Sequence, residues 1–372
     1  MPNAGALAGL RVVDASSLYA APFVATLLAD QGADVVKIEP PGGDDYRHYP
    51  TRMWSLLARN KKSVVADLRT EEGCDLLRAL VPDTDVLVVN MPPALLERRG
   101  LDWNRLSALN PELVMAAVSG FGLDGPYAGR PGNGTMAEGF AGLTYLTGDP
   151  DGPPVLPSVP LGDAVTGFAG AFGILAACYH RAQGGRGQLV DINPVDALLH
   201  TIGPALTAYA PPADPPKRLG SRLAGATVRN VFAAADGKWI AISASTPRHA
   251  RDLATLCGHQ QADADGPPVG DLEGSLRRWI ATQPREAVLL QMVDGRLPAA
   301  PVNSVQDLLD DPHIQARQAV QWVATAEAGD IANPAPAPRL LGSPAPTGGR
   351  TPDVGEHTDE ILARIAARRE HP

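Results

Sequence analysis

Short apolar strands alternate with helices along the first part of the chain, and this alternation restricts the fold more than any other feature. Runs typical of strands are predicted at 10–14, 34–39, 64–66, 85–90, 113–118 and 189–192. Helices are predicted between them, including one closed by Gly32 and one over 71–80. Strands that alternate with helices at this spacing form βαβ units. We therefore predict an α/β fold with a mainly parallel sheet.

The middle of the chain has a different pattern, which indicates a second domain. Four of the six residues at 211–216 are proline, a composition typical of a linker. Asp236 and Gly237 separate two β-rich runs within 228–243 and predict a hairpin, and helices are predicted after it. We predict a large domain over 1–210, a linker over 211–227, a small α+β domain over 228–300 and a C-terminal segment over 301–372 that ends in a helix.

Composition and charge exclude several classes of function. The net charge of -9 argues against a broad nucleic-acid surface, which needs clustered positive charge. Cys74, Cys178 and Cys257 form no CxxC pair and match no zinc spacing, so we expect reduced thiols, a cytoplasmic location and no metal site. The N-terminus lacks the basic start and apolar core of a signal peptide.

A nucleotide-binding function is the first alternative to consider for a chain with this pattern. Glu39 ends the second predicted strand, where dinucleotide folds often place an acid that binds ribose. The first turn contains no GxGxxG, however, and nothing resembles the P-loop motif GxxxxGK[ST]. These absences argue against a nicotinamide dehydrogenase or a P-loop enzyme.

Asp163 is the residue that most directly suggests chemistry. It is expected to be the N-cap of an apolar helix with no other charge until His180 and Arg181. It is either a structural cap or a reactive carboxylate. Thr166 replaces the Glu or Gln of a capping box, and the glycine-rich flanks would admit a ligand. The helix is apolar all round, so we expect it to be buried, and shorter than the roughly 20 residues of a membrane span.

Six segments, in this order, resemble the class III (CaiB/BaiF-type) coenzyme A transferase family over nearly the whole chain. They read LAGLRVVD (7–14), LADQGADVVKIEP (28–40), NKKS (60–63), SGFG (119–122), GRGQ (185–188, after the Asp163 helix) and GEHT (355–358). The resemblance implies a Rossmann-like large domain, to which the chain returns at its end, a smaller domain and an interlocked homodimer.

The resemblance also implies the chemistry. Asp163 would be the nucleophile that takes the acyl group from an acyl-CoA thioester as an anhydride and then carries CoA as an aspartyl thioester. A free carboxylic acid would repeat the exchange and leave as the new thioester. CoA is then a substrate, and no prosthetic group is expected. Nucleic acid and membranes are not expected partners.

The family's CoA contacts correspond by position to a set of residues in this chain. They are Tyr19, Ala20, Pro40, Ala66, Asp67, Leu68, Arg69, Asn90, Met91, Pro92, Arg98, Pro131, Gly132, Asn133 and Gly134. Arg69 and Arg98 are the leading candidates for the CoA phosphates, and the alternative for each is an ordinary solvated surface charge. Tyr19 either shapes the acyl site or only packs in a turn.

The chain departs from the family pattern at Asn133 and Gly134. The family often has an aromatic residue followed by Asp or Glu there, so one active-site carboxylate is expected to be missing. The main alternative function is an α-methylacyl-CoA racemase of the same fold, which needs an acid/base pair. Racemases of the family have a histidine in this segment, and this chain has none. A CoA-binding protein without turnover is a further alternative.

Overall fold

A computed structural model of the protein describes residues 5–50, 52–212, 214–260, 270–325, 329–346 and 349–370. Residue contacts divide the chain into two units. The first unit comprises Met1–Leu143, Leu156–Ala208 and Arg317–Pro372, and the second comprises Thr144–Val155 and Tyr209–Ala316. The predicted linker and residues 301–316 thus fall in the second unit. Arg218 ties the early segment of that unit to its main part, since it donates to the carbonyl oxygens of Tyr145 and Gly152 at 3.0 and 3.1 Å.

The first unit is built on a six-stranded parallel sheet, which confirms the predicted α/β class. Its strands are β1 Arg11–Ala15, β2 Asp34–Glu39, β3 Lys61–Val65, β4 Val86–Val89, β5 Val114–Val118 and β6 Leu189–Ile192. They lie in the order β3-β2-β1-β4-β5-β6, and all neighbours are parallel. This is the order of a doubly wound sheet, whose ligands bind beyond the carboxyl ends of the strands.

Helices follow most of the strands, at or near the predicted positions. In chain order they are α1 Ala20–Asp30, α2 Met53–Ala58, α3 Glu71–Leu80, α4 Pro93–Arg98, α5 Trp103–Leu109, α6 Gly134–Phe140, α7 Leu143–Leu146, α8 Leu161–Ala182, α9 Pro194–Thr201, α10 Gly203–Ala208, α11 Pro247–Leu256, α12 Leu272–Ile280, α13 Arg285–Asp294, α14 Val305–Asp310, α15 Pro312–Ala316 and α16 Thr358–Glu370. The remaining strands are β7 Val228–Ala233, β8 Trp239–Ala244, β9 Ala299–Pro301, β10 Val320–Thr325 and β11 Gly329–Pro334.

Both faces of the parallel sheet are covered, and this explains why its strands are nearly continuous apolar runs. On one face, α1 and α8 pack through Val24, Leu28 and Ile174 against strand residues such as Val88. On the other face, α3, α5 and α16 form a separate apolar core. The second unit has its own core, in which the predicted hairpin β7–β8 and β9 form an antiparallel sheet beside α11–α13.

Helix α8 differs from its prediction in length and in burial. It has 22 residues, and in the described part of the chain it is the one helix long and apolar enough to cross a membrane. One side packs on α1, where a Cβ at Gly170 would lie 2.7 Å from Val24. The other side is exposed, and its four large residues have exposed fractions of 40–76%: Phe168, Phe172, Leu175 and Tyr179. The prediction of a helix buried all round is therefore wrong for the single chain.

The hairpin β10–β11 was not predicted, because its sequence lacks a clear alternating pattern. It belongs to the first unit and is fixed by tertiary contacts. The buried side chain of Asn333 donates to the Ser55 hydroxyl at 3.1 Å and accepts from Arg59 at 3.2 Å. Arg59 in turn pairs with Asp30 at 2.7 Å in the interior. The C-terminal part of the chain is thereby attached to α1 and α2.

Buried charges support the segment that connects β1 to α1. The Asp14 carboxylate accepts from Lys61 at 2.8 Å and lies 3.9 Å from Lys37. Lys61 also donates to the carbonyl oxygen of Pro22 at 2.7 Å, and Lys37 donates to that of Ser16. Burial alone would raise the pKa of Asp14, but the two lysines hold it below its ordinary value. The backbone is therefore held at both ends of 16–22.

Removing one charge of this network should destabilise the first unit. We expect Lys61→Met to cost roughly 3–5 kcal/mol of unfolding free energy, because the buried Asp14 carboxylate loses one of its two lysine partners. Thermal and urea unfolding measure the change. The double variant Asp14→Asn with Lys61→Met should recover part of the loss. A single variant as stable as the wild type would contradict the role given to this network.

Candidate active site

A cleft of about 400 Å³ opens in the first unit at the carboxyl edge of the parallel sheet. Its walls come from segments that follow strands β1, β4, β5 and β6 and from the starts of helices α6 and α8. The lining residues are 17–21, Tyr46, Tyr49, Met53, Asn90, 118–120, Gly132, Asn133, Thr135, Pro160, Asp163 and Pro194. This is the edge at which doubly wound folds bind their ligands.

Asp163 lies in this cleft, in the first turn of α8, but it is not the N-cap of the helix. The helix begins at Leu161, and its N-cap is Pro160, which makes no side-chain cap. The predicted N-cap position is therefore wrong by three residues. The Asp163 Oδ1 atom instead accepts a hydrogen bond from the backbone N–H of Gly134 at 3.1 Å. The carboxylate is thus directed away from its own helix and toward the start of α6.

Two glycines allow the starts of α6 and α8 to touch. A Cβ at Gly134 would lie 2.5 Å from Asp163 Oδ2 and 2.6 Å from its Cγ. A Cβ at Gly162 would lie 2.7 Å from the carbonyl oxygen of Gly134. These distances leave no room for a side chain at either position. In this arrangement an Asp or Glu at position 134, the residue types expected from the family pattern, would collide with Asp163.

The carboxylate expected at position 134 is absent, but another stands one helical turn later. Glu138 on α6 has an exposed fraction of 2%, and its Oε1 atom accepts from the backbone N–H of Gly162 at 2.8 Å. Position 134 therefore lacks the carboxylate of the family pattern, and Glu138, which does not line the cleft, is an acid near Asp163 that the sequence interpretation did not include. In the sequence, Glu138 could have been noticed as the one charged residue in a short run of mostly small and apolar residues, four positions after Gly134.

The surroundings of Asp163 disfavour its charged form. Burial raises the pKa of Asp163, the N–H of Gly134 acts in the opposite direction, and the charge of Glu138 raises the pKa further. The net result is a pKa above the ordinary value. Burial, and then the charge of Asp163, raise the pKa of Tyr19, and burial is also the main cause of the raised pKa of Tyr46. Both hydroxyls therefore remain protonated donors near neutral pH.

Several residues predicted from the family's CoA contacts lie together in the cleft. Tyr19, Ala20, Asn90, Gly132 and Asn133 line it with Asp163, and Gly134 contacts the Asp163 carboxylate directly. The Tyr19 side chain packs with Phe23 and Leu57 and is 9% exposed. Tyr46, Tyr49, Met53 and Thr135 are further lining residues that the sequence interpretation did not include.

Asn90 has a structural role in the cleft wall. Its side-chain oxygen accepts from the Ser17 N–H at 3.1 Å, and its side-chain nitrogen donates to the Ser17 carbonyl oxygen at 2.7 Å. The amide therefore joins the end of β4 to the segment after β1. Together with the buried lysines, it fixes the backbone on which Tyr19 is carried.

The remaining predicted contact residues lie outside the cleft lining. They are Pro40, Ala66, Asp67, Leu68, Arg69, Met91, Pro92, Arg98 and Pro131. Arg69 is 72% exposed and pairs with Asp67 at 2.8 Å, and the hydrogen bonds from Arg69 lower the pKa of Asp67 to about 2. Arg98 is exposed at the end of α4. Whether these residues bind CoA stays a prediction.

Two other chemical roles find no support in the described residues. Glu39, the candidate ribose-binding acid, is fully buried, and Arg47 pairs with it through two bonds of 2.6 and 2.7 Å. It therefore stabilises the fold and does not face a ligand. Within the described ranges, no three His, Cys, Asp or Glu side chains gather where they could hold a metal ion.

Comparison with known proteins decides the family. The sequence profile of CoA-transferase family III matches residues 7–358. The chain belongs to CoA-transferase family III. It is 36% identical to the succinyl-CoA–L-malate CoA-transferase beta subunit of Chloroflexus aurantiacus, covering 96% of this chain and 94% of that protein. It is 34% identical to the succinyl-CoA:mesaconate CoA-transferase of Haloarcula hispanica, covering 96% of each chain.

Solved structures agree with this assignment. A CaiB/BaiF family protein from Brucella suis matches with a TM-score of 0.85 and 30% identity, over 97% of this chain and 99% of that one. The predicted family and fold class are therefore confirmed, and the protein is an enzyme, a class III CoA-transferase. Enzymes of this class act on CoA thioesters and carboxylic acids.

The close contact between the two helix starts should be sensitive to a single methyl group. We expect Gly134→Ala to lower CoA-transfer activity and to cost roughly 1–3 kcal/mol of stability, because the new Cβ meets the Asp163 carboxyl. The matched control is Gly139→Ala on the same helix, where a Cβ has open space. The control should keep full activity. Equal activity of the two variants would show that the contact does not position Asp163.

Proposed function

We propose that this enzyme transfers CoA from an acyl-CoA thioester to a free carboxylic acid through covalent intermediates on Asp163. One observation carries the proposal. Among the described residues that line the cleft, Asp163 is the single Asp or Glu, and it stands at the carboxyl edge of the sheet. Its raised pKa is typical of a reactive carboxylate that must lose its solvent shell to react.

The proposed exchange passes through two anhydrides and one thioester of Asp163. The Asp163 carboxylate attacks the thioester carbonyl, forms a mixed anhydride and releases the CoA thiolate. The thiolate attacks the aspartyl carbonyl, which gives the aspartyl-CoA thioester and releases the donor acid. The acceptor carboxylate then displaces the thiolate to form a second anhydride, and the thiolate attacks its acyl carbonyl. The products are the new acyl-CoA and the free Asp163 carboxylate.

Backbone donors near Asp163 suit this chemistry. The N–H of Gly134 points at Asp163 Oδ1 in the resting site and belongs to the first turn of α6. When the thiolate or the acceptor attacks the aspartyl carbonyl, negative charge develops on its oxygen. A donor already aimed at that atom stabilises the charge without rearrangement. We assign Gly134 N–H this role.

We further propose that the acyl group carries a second carboxylate. Both named relatives use succinyl-CoA, and malate and mesaconate are also dicarboxylic acids. In the described lining of the cleft there is no Lys, Arg or His, so hydroxyl donors would bind the second carboxylate. Tyr19 and Tyr46 are suitable, since both remain protonated near Asp163. The phosphates of CoA would bind outside the cleft, with Arg69 and Arg98 as candidates.

The racemase alternative has no observation in its favour. Asn133 and Gly134 occupy the segment in which the family's racemases carry a histidine, and Gly134 is packed against Asp163. Racemisation needs one group that removes the α-proton and a second group that returns a proton on the opposite face of the carbon. The described lining residues provide Asp163 alone as a strong base candidate.

Trapping the covalent intermediate tests the proposed mechanism. We expect wild-type protein mixed with succinyl-CoA to gain an adduct by intact-protein mass spectrometry, and hydroxylamine to convert it to a hydroxamate at Asp163. Asp163→Asn should form no adduct and lose CoA transfer, since the amide is a poor nucleophile. Acetyl-CoA serves as the monocarboxylic comparison donor. Exchange of an α-proton in deuterated water, with no adduct from any donor, would favour the racemase function instead.

We also propose that the enzyme works as the interlocked homodimer that the family resemblance implies. Phe168, Phe172, Leu175 and Tyr179 form the exposed face of α8, and an apolar face of this size on a helix is typical of an interface. A second copy of the chain would cover it. No prosthetic group is needed for this assembly or for the chemistry, and we propose a cytoplasmic location.

Light scattering of the purified enzyme tests the assembly. We expect a dimer for the wild type and a shift toward monomer for Phe172→Glu, because burying the new charge is costly. Leu109→Glu is the control, since Leu109 is an exposed apolar residue on α5, across the sheet from α8. A monomeric wild type would contradict the proposal and point to a second, related subunit, as the name of the Chloroflexus relative indicates for that enzyme.

A further inference from the structure

We propose that Glu138 is a positioning residue that holds the first turn of α8 and places a second negative charge beside the nucleophile. This inference rests on the proposed function of Asp163. Glu138 was not among the predicted site residues, and it does not line the cleft. It acts through its contact with Gly162, the residue directly before Asp163.

The geometry of the two helix starts is reciprocal. The Gly134 N–H in the first turn of α6 donates to Asp163 of α8 at 3.1 Å. The Gly162 N–H in the first turn of α8 donates to Glu138 of α6 at 2.8 Å. Each helix start is therefore capped by a carboxylate from the other helix. The first N–H groups of a helix have no partner within it, so these caps matter for the position of both ends.

Helix α8 depends on this cap more than α6 does. The N-cap of α6, Asn133, accepts from the Met136 N–H at 3.0 Å. The N-cap of α8 is Pro160, which has no side-chain acceptor. Without Glu138, the buried N–H of Gly162 would lose its partner, and a turn that lost this bond would relax by moving Asp163.

The hydrogen bond that Glu138 accepts from Gly162 does not require a charged side chain. The side chain is 2% exposed, and none of the ion pairs in the described part of the chain includes it. A neutral glutamine oxygen would accept the same hydrogen bond without the cost of burying a charge. The carboxylate therefore has a consequence beyond holding the helix, since its charge acts on Asp163.

The consequence is that acylation of Asp163 removes a repulsion. In the resting enzyme the charge of Glu138 acts on the Asp163 carboxylate, whereas the anhydride and the thioester of Asp163 are both neutral. The presence of Glu138 thus favours the acylated states over the free carboxylate. The titratable groups that act on Asp163 from the surrounding elements are Glu138 on α6, Tyr19 before α1 and Tyr46 after β2. The two tyrosines are neutral, so Glu138 is the charged neighbour.

Two substitutions separate the cap from the charge. Glu138→Gln keeps the acceptor for Gly162 and removes the charge. Glu138→Leu removes both at similar volume. Asp191→Asn is the matched control, because the Asp191 carboxylate also accepts a backbone N–H, that of Leu123 at 2.9 Å, and lies outside the cleft lining.

Carbon-13 NMR titration of aspartate-labelled protein gives a readout that needs no turnover. The Asp163 resonance is assigned from Asp163→Asn. We expect the titration midpoint of Asp163 to move to lower pH in Glu138→Gln, since loss of a like charge favours the carboxylate. The acid limb of kcat/KM should move in the same direction, and a smaller fraction of the enzyme should carry the adduct at equilibrium with succinyl-CoA. Asp191→Asn should change none of these.

Glu138→Leu should reduce kcat by roughly a hundredfold in folded protein, because a displaced carboxylate no longer meets the thioester. Circular dichroism shows whether the variant folds, and Glu138→Gln decides the question if it does not. An unchanged Asp163 midpoint in Glu138→Gln overturns the charge role, and full activity of folded Glu138→Leu overturns the positioning role. If the midpoint moves but wild type forms no adduct, the proposed function fails and the placement of Glu138 stands.

Discussion

The active site depends on one close backbone contact, between Gly134 at the start of α6 and Gly162 at the start of α8. Neither position has space for a Cβ, so the two helix ends approach until each offers an N–H to the carboxylate of the other. Through this contact the Gly134 N–H holds the Asp163 carboxylate. It also brings Glu138 close enough to influence the charge of Asp163. The position of the proposed nucleophile and its raised pKa therefore have a common structural origin.

Helix α8 contributes to the core, to the cleft and to an exposed apolar face. Its small residues let α1 pack closely, so that the helix forms part of the core on one face of the sheet. Its first turn presents Asp163 to the cleft. Its far side exposes large apolar residues, which the proposed second copy would cover. A change at any one surface of this helix is therefore expected to affect the other two.

The α/β class and the order of most helices and strands could be predicted from sequence, because they depend on local patterns and recognisable motifs. The chemical role of Asp163 stays a prediction. The strand over 34–39 and the helix over 71–80 match their predicted bounds. The first turn of α8 was placed three residues late, since Pro160 is not a usual cap. Glu138 was missed because its importance comes from a contact with Gly162, 24 residues away. The hairpin β10–β11 was missed for the same kind of reason, since Asn333 is fixed by α2.

Transfer of an oxygen atom from the acceptor acid to Asp163 tests the covalent route through this residue most directly. A single turnover with an acceptor acid whose carboxylate carries oxygen-18 should leave one labelled oxygen on Asp163, because the bridging oxygen of the second anhydride stays on the enzyme. Mass spectrometry of the peptide that contains Asp163 detects it, and an acceptor in unlabelled form gives the baseline. We predict label in this peptide after turnover. Product formation with no label there would contradict it, since CoA would then pass to the acceptor without bonding to Asp163.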